Sequence, residues 1–360
     1  MIYLIAGIVL LIIVLRDVFQ TVVVPRGKVN NYRIAPFLVR SLMWPLVRQA
    51  ASKLPSPIWT VEILGFFGPF IIMLLLTTWI SLIVCAYGLI AFSLANQYSP
   101  PLDSFLSALY LAGSYVMTLG SSDFVSKTTT ARFLTIAAAF TGMIVTAVVI
   151  SLLFTLLSSI QRREILVTIA SELAGSPPTG IGILQTHANL QGRQSLSNYY
   201  LAWHFWCADV RGTHIAYPML LYFRSTDPYT SWLTALGAAL DSATLLLSTD
   251  FDGDMFSAQL LYNSSVILLR ELAAEWRFSD LPAEEASYEE FHQLFLRLQQ
   301  AGYCDAAEEQ KVKDTFLRLH GQYIGTLRLL CAYFAVPYTE LLSAHKFPQI
   351  ERQLDIDSSM

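Results

Sequence analysis

Charged residues are scarce in this 360-residue chain, at 14% of the sequence against about 25% in ordinary soluble domains. Hydrophobic residues make up 54%, and the mean hydropathy is +0.49. This composition excludes a disordered chain and argues against a nucleic-acid-binding protein. The few charges are unevenly placed: residues 1–160 carry nine basic and four acidic residues, whereas residues 161–360 carry 14 basic and 23 acidic ones. The chain therefore has a charge-poor first half and an acidic second half.

Motifs typical of enzymes and cofactor sites are also missing. The sequence contains no glycine-rich dinucleotide motif, no Walker lysine and no nucleophile elbow. Its four cysteines form no C-x-x-C pair, which excludes the usual zinc motifs and a dense disulfide framework. The apolar N-terminus has neither a preceding basic segment nor a small-residue cleavage site, so we expect no removable signal peptide. We predict a protein that is not an enzyme and has no cofactor.

Long uncharged stretches are the main positive feature. Residues 63–102 and 133–161 contain no charge, and each is longer than the roughly 20 residues that a membrane-spanning helix needs. A third apolar stretch, 1–24, includes Arg16 and Asp17. We predict a transmembrane helix over 1–24, and the alternative is a re-entrant or interfacial helix.

The segment 25–60 is strongly basic. It carries six Lys or Arg residues and no acidic residue, and the next acidic residue along the chain is Glu62. An excess of positive charge marks the cytoplasmic side of a membrane. We therefore predict that 25–60 is cytoplasmic or lies along the inner membrane surface.

The segment between the last two apolar stretches is too short to cross a membrane easily. Ser99-Pro100-Pro101 favours a helix start, about 13 apolar residues follow, and a small polar run at 120–123 then ends the helix. A segment that enters and returns places Arg162 and Arg163 inside, which agrees with the positive-inside rule. Irregular backbone at membrane depth requires a protein interior or a water-filled cavity. This pattern indicates a pore.

Two motifs in this segment resemble the pore loop of the potassium-channel superfamily, whose pattern is A-L-Y-F-S followed by T-V-G-Y-G-D. They are Ala108-Leu109-Tyr110 and Thr118-Leu119-Gly120-Ser121-Ser122-Asp123-Phe124. Weaker matches resemble a bacterial ion-channel subfamily. These are Asp17-Val18-Phe19-Gln20-Thr21, Pro25-Arg26-Gly27, Gly68-Pro69, Trp79, His214-Ile215-Ala216-Tyr217-Pro218 and Ser231-Trp232-Leu233.

The resemblance implies an all-α membrane protein with a pore-loop channel fold. An extra N-terminal hydrophobic helix precedes a pore domain at 61–161, and a linker at 162–182 leads to an all-α cytoplasmic domain at 183–360. Within the pore domain, we expect an outer helix at 62–96, a pore helix at 102–116, a filter at 117–123 and an inner helix at 131–161.

The predicted ion-conducting filter departs from the family pattern. The resemblance assigns it to Thr118, Leu119, Gly120, Ser121 and Ser122. Ser121 replaces the family's aromatic residue, and Ser122 replaces its second glycine. A left-handed backbone at a non-glycine residue costs roughly 1–2 kcal/mol. We therefore expect a wider, wetter or shorter filter with weak selectivity for potassium over sodium.

Three residues near the filter have candidate roles. Asp103 and Asp123 flank the pore segment, and four copies around an axis would form carboxylate rings that attract cations. For Asp123, the alternative is a hydrogen bond that stabilises the loop. Gly142 falls near the family's hinge glycine and is a candidate gating hinge, although glycine also permits close helix packing.

The second half shows helical periodicity and one acidic cluster. Asp250, Asp252 and Asp254 are weak candidates for a calcium or magnesium site. Their spacing does not match an EF-hand, and the alternative is a helix-entry turn capped by aspartate.

These observations lead to one functional hypothesis and one alternative. The hypothesis is a homotetrameric cation channel in the inner membrane, multi-pass, with its C-terminal domain in the cytoplasm. Monovalent cations, potassium and sodium, would be the permeant ions. The expected partners are the lipid bilayer and an unidentified cytoplasmic ligand, with no nucleic acid. The alternative is a non-conducting membrane sensor or scaffold that retains the channel fold.

Overall fold

The computed structural model describes most of the chain in two compact units. The described residues are 1–22, 34–53, 57–120, 123–190, 192, 195–225, 230–249, 251, 255–276, 278, 288–336 and 338. The first unit comprises Met1–Leu46 and Phe66–Leu157, and the second comprises Val47–Gly65 and Ser158–Met360.

In the part of the first half that the structure describes, the regular elements are helices apart from one pair of short strands. Its helices are α1 (Ile2–Val22), α2 (Ile34–Pro36), a π-helical segment (Phe37–Met43), α3 (Trp44–Ser52), α4 (Pro57–Ser93), α5 (Phe105–Val116) and α6 (Thr129–Ala174). The strands β1 (Tyr98–Ser99) and β2 (Val125–Ser126) pair antiparallel, with Tyr98 opposite Ser126.

Three of the described helices are long and apolar enough to cross a membrane. They are Ile2–Val22, Glu62–Ser93 and Thr129–Ala174. By contrast, α5 has 12 residues, which at 1.5 Å per residue reach only about 18 Å of the roughly 30 Å hydrocarbon layer. A helix of this length cannot cross a bilayer by itself.

The helix α6 extends well beyond the length that a membrane requires. Its 46 residues correspond to about 69 Å. Most of the segment 162–182, expected from the sequence as a linker, is therefore helical. The chain leaves α6 at Gly175, whose φ of +84° is the left-handed conformation that commonly ends a helix at glycine.

Close backbone approach joins α1 to α4. A Cβ atom on Gly7 would lie 2.7 Å from Ile90 Cγ1 and 2.8 Å from the carbonyl oxygen of Ala86. Small residues allow this kind of contact between apolar helices, where van der Waals packing provides much of the attraction.

The second unit consists of helices packed around α9. Its helices beyond α6 are α7 (Gly180–Asn189), α8 (Leu196–Ala216), α9 (Trp232–Ser248), α10 (Met255–Glu275), α11 (Tyr288–Gln300), α12 (Glu309–His320) and α13 (Ile324–Tyr333), with 3₁₀ turns at Pro218–Tyr222 and Ala306–Glu308. Every residue of α9 except Leu247 is buried. A helix that is buried on all sides lies at the centre of its unit, and α7, α8, α10, α12 and α13 all contact α9.

Candidate pore-loop site

The short helix α5 begins with a well-formed cap. Ser104 precedes it in an extended conformation, and its hydroxyl accepts a hydrogen bond from the backbone N–H of Ser107 at 3.2 Å. The Ser107 hydroxyl in turn donates to Asp103. This hydrogen bond lowers the pKa of the Asp103 carboxyl below its ordinary range. The exposed Asp103 therefore carries a negative charge beside the start of α5.

The loop after α5 folds back onto the last turn of that helix. The carbonyl oxygen of Ser114 accepts hydrogen bonds from the N–H of Leu119 at 2.8 Å and of Gly120 at 3.4 Å. This reversal requires a left-handed backbone at Thr118 (φ +56°) and at Gly120 (φ +70°). Glycine adopts that conformation freely, whereas a β-branched threonine does so rarely.

These two hydrogen bonds determine where two carbonyl groups point. In a planar trans peptide, the N–H and the preceding C=O point in opposite directions. Because the N–H groups of Leu119 and Gly120 face Ser114, the carbonyl groups of Thr118 and Leu119 are directed away from α5. Backbone carbonyl oxygens presented in this way are the groups that coordinate cations in channel filters.

The chain beyond the loop returns along β2 and enters α6. The N–H of Lys127 donates to the Gln97 carbonyl at 2.9 Å, next to the β1–β2 pair. The hydroxyl of Thr128 accepts from the N–H of Ala131 at 3.2 Å and caps the start of α6. Asp123, at the start of this return, is exposed.

A glycine of α6 holds the far end of α5 in place. A Cβ atom on Gly142 would lie 2.0 Å from the carbonyl oxygen of Val116, the last residue of α5. No side chain fits in that space, so the structure gives Gly142 a packing role; the hinge role stays a prediction. The neighbouring Thr141 hydroxyl lies 2.8 Å from the Tyr87 hydroxyl, and this hydrogen bond links α6 to α4.

The structure places the predicted site residues as follows. Thr118, Leu119 and Gly120 form the loop that Ser114 holds, Asp103 and Asp123 lie on either side of it, and Gly142 contacts α5. Ser121 and Ser122 lie outside the described residues, as do Asp250, Asp252 and Asp254. Among the residues that are described, no group of three or more His, Cys, Asp or Glu side chains is placed to bind a metal ion.

A buried carboxylate links α1 to α4, a contact that sequence reasoning did not predict. Asp17 is 4% exposed. Its oxygens accept hydrogen bonds from Trp79 Nε1 at 2.8 Å and from the N–H of Ile34 at 3.0 Å. The sequence drew attention to Asp17 and Trp79 separately, but nothing in their spacing shows that they meet.

A fully buried arginine lies within the second unit, on the extension of α6. The guanidinium of Arg163 donates to the carbonyls of Leu220 at 3.1 Å and Phe223 at 2.8 Å, and it pairs with Glu164. His214 Nε2 lies 3.3 Å from it. Burial, followed by the charge of Arg163, holds the pKa of His214 well below its ordinary value. This cluster fixes the end of α6 to the chain after α8.

Taken together, the first unit defines a pore-loop membrane protein. Two long apolar helices flank a short helix, and the loop after that helix presents backbone carbonyls. Residues 70–159 match the model of a family described as ion channel, a two-transmembrane, potassium-channel-like family. Over this stretch the chain is similar to the potassium-channel-like pore-loop family, and the match supports an ion channel rather than an enzyme. No match to the chain was found among curated proteins or solved structures.

Proposed function

We propose that the protein is a homotetrameric channel for monovalent cations that discriminates weakly between potassium and sodium. The carbonyls of Thr118 and Leu119, which are directed away from α5, are the observation that carries this proposal. One loop cannot enclose an ion path, and closed cyclic assembly is the usual way to complete one. Four copies would surround an axis with backbone oxygens. The filter comprises Thr118–Ser122.

Charge around the loop supports the passage of cations. Asp103 and Asp123 are both exposed and flank the loop, so four copies would add two rings of carboxylates. Lys127 and Arg132 are also exposed and weaken this field locally. The last turn of α5 adds partial negative charge, because the carbonyl end of a helix dipole is negative.

Weak selectivity follows from the side chains that the loop lacks. An aromatic residue in the position of Ser121 would pack behind the loop and hold it at a constant radius, whereas serine offers little surface for packing. The two hydrogen bonds to Ser114 hold the beginning of the loop. A loop without aromatic packing behind it adapts to partly hydrated ions of either kind.

The proposed orientation places both basic segments inside the cell. Segments 25–60 and Arg162–Arg163 then lie on the cytoplasmic side of the inner membrane, and residues 183–360 form a cytoplasmic domain after the linker at 162–182. The positive-inside rule supports this arrangement. The four cysteines are free thiols, as expected in a reducing compartment.

The test is the reversal potential of the purified protein in planar bilayers, with potassium and sodium on opposite sides. A pore that passes only one monovalent ion gives a reversal potential of about 59 mV for a tenfold gradient of that ion. The wild type, passing both potassium and sodium, should give a reversal potential near zero. The double variant Ser121→Tyr, Ser122→Gly should move the potential toward the potassium limit. Ser195→Tyr, which adds the same side chain at an exposed position outside the loop, should leave it unchanged.

Two results would contradict the proposal. A wild-type potential close to the potassium limit excludes weak selectivity. Complete absence of ion flux from correctly assembled protein excludes conduction and favours the non-conducting sensor, which the departures at Ser121 and Ser122 also allow.

A further inference from the structure

A buried carboxylate lies in the centre of the second unit. Asp241 lies on the central helix α9 and is 5% exposed. An ionised carboxylate is costly to bury unless it is paired and hydrogen-bonded. Its Oδ1 atom accepts a hydrogen bond from the Tyr323 hydroxyl at 2.6 Å. Tyr323 lies between α12 and α13 and also contacts the hydroxyl of Thr244 at 3.2 Å.

A histidine side chain faces the same oxygen. His320 Nε2 lies 3.8 Å from Asp241 Oδ1. The nitrogen is buried, and no atom of the described residues hydrogen-bonds to it. Its ring stacks on Phe316 at 4.9 Å. The carboxylate and the imidazole are thus near enough to compete for a proton, in surroundings that favour neutral groups.

Other charged and titratable groups surround this pair. The charge of Arg328 in α13 favours a lower pKa for both Asp241 and His320. Its guanidinium lies 5.3 Å from the ring centre of Tyr338. Burial, followed by the charge of Asp241, raises the pKa of Tyr338, and Tyr262 of α10 packs edge-on against Tyr323. From α7 the nearest group is the backbone of Gly180. We call Asp241, His320, Tyr323, Arg328 and Tyr338 the Asp241 cluster.

A cavity gives solvent a route to the cluster. Its volume is only about 10 Å³, and it is partly open. Its lining includes Thr179, Gly180, Thr234, Gly237, Asp241 and Tyr338. A cavity of this size has room for about one water molecule, which is enough to bring an exchangeable proton to Asp241.

The cavity lies where α7 docks onto α9, and α7 is joined to the end of α6. A Cβ atom on Gly180, the first residue of α7, would lie 2.7 Å from Asp241 Cβ. The Thr186 hydroxyl of α7 donates to the carbonyl of Leu173, in the last turn of α6, at 2.7 Å. Asp241 is therefore connected to α6, the inner helix of the proposed pore, through α7 and the hydrogen bond between Thr186 and Leu173.

We propose that Asp241 and His320 form a proton-binding site through which pH alters the docking of α7 on α9 and thereby ion flux. The coupling to flux rests on the proposed function, whereas the proton-binding site itself does not.

The two groups respond to pH in opposite directions. Burial raises the pKa of Asp241 from its ordinary 3.8 to about 7, against the opposing effects of the Tyr323 hydrogen bond and Arg328. Burial, with the charge of Arg328, lowers the pKa of His320 from its ordinary 6.5 to about 4. Asp241 therefore contributes stability that is complete below pH 3.8 and is lost as the pH rises to about 7. His320 contributes stability that is complete above pH 6.5 and is lost as the pH falls to about 4.

The first experiment measures protonation directly, in full-length protein reconstituted in nanodiscs. Infrared difference spectra from about pH 5 to about pH 9 should show a protonated-carboxyl C=O band that disappears near neutral pH, because a single group goes from about one tenth to nine tenths ionised over two pH units. Asp241→Asn should remove the band. Tyr323→Phe should move its midpoint to higher pH, because the ionised form loses a hydrogen bond. Asp314→Asn, which changes an exposed aspartate of α12, should leave the band intact.

The second experiment measures thermal unfolding and ion flux at the same pH values. Relative to the wild type at the same pH, Asp241→Asn should unfold at an increasingly higher temperature as the pH rises toward 6.5. His320→Gln should unfold at an increasingly lower temperature than the wild type over the same range. Wild-type flux should change across the infrared midpoint, and flux through Asp241→Asn should not.

Each failure has its own meaning. A wild-type spectrum without a neutral-range carboxyl band overturns the proton-binding site, whatever the flux does. A band with flux that is independent of pH overturns the coupling. Absence of flux at every pH, with the band present, overturns the proposed function and leaves the proton-binding site standing.

Discussion

The contact between Gly142 and Val116 leads to a quantitative prediction. A methyl group at Gly142 would lie 2.0 Å from the Val116 carbonyl oxygen, 2.8 Å from its carbonyl carbon and 3.1 Å from its Cγ1. The nearest obstacle is backbone, which cannot rotate away as a long side chain can. The two helices must therefore separate by about 1 Å to restore even a tight contact of 3.0 Å. Overpacking of this kind typically costs about 1–3 kcal/mol, and occasionally more.

We therefore expect Gly142→Ala to lower the thermal stability of the purified protein and to reduce its ion flux. Val116 is followed immediately by the loop that Ser114 holds, so a shift of α5 moves the carbonyls of Thr118 and Leu119. The assay is thermal unfolding of the detergent-solubilised protein, with flux measured on reconstituted samples of the same preparation.

The control is Gly65→Ala in α4. Among the described residues, no atom outside its own helix lies within 4 Å of a Cβ placed at Gly65. Alanine there should be neutral or should stabilise the helix by about 0.5–1 kcal/mol. If Gly142→Ala unfolds at the wild-type temperature, the packing argument fails. Unchanged stability together with altered opening would instead favour the hinge.

Two further substitutions test the buried polar contacts. Asp17→Asn should destabilise the protein by about 1–3 kcal/mol, because an amide cannot accept from both donors without turning its NH₂ group toward one of them. When Asp17→Asn is combined with Trp79→Phe, the loss of stability should be less than the sum of the two single losses. Strictly additive losses would refute the coupling between the two residues. Arg163→Met should cost about 3–5 kcal/mol, because it leaves two buried carbonyls and Glu164 without their donor. Arg162→Met is its matched control: this side chain is 49% exposed and pairs with Asp209, so we expect about 0–1 kcal/mol. Equal unfolding temperatures for the two arginine variants would contradict the account of the cluster.

Much of the architecture was predictable because a membrane imposes strong rules on sequence. Two uncharged runs longer than a bilayer needs, with a short apolar segment between them, predict two spanning helices and a segment that enters and returns. The prediction of a potassium-channel-like pore-loop family is confirmed by the match at residues 70–159. The prediction rested on a short motif whose residues are adjacent in sequence, the kind of signal that sequence reading detects well.

The contacts of the site could not be predicted in the same way. Gly142 was noted for its position relative to the filter, but its proximity to Val116 depends on how closely α6 approaches α5. The roles assigned to Thr118–Ser122, Asp103 and Asp123 stay predictions. Ser114 has no motif at all, because its contribution is a backbone carbonyl, which every residue type possesses.

The amino-acid sequence by itself determined which segments prefer lipid, which side of the membrane the basic segments favour and where the apolar loop reverses. Those properties depend on the composition of contiguous residues, so they can be read along the chain. Only the tertiary structure decided that Asp17 meets Trp79, that Arg163 is buried among carbonyls and that Asp241 faces His320. These pairs are 62, 57 and 79 residues apart, counting Leu220 as the carbonyl partner of Arg163. Contacts over such separations depend on how whole helices pack, a property that no local pattern records.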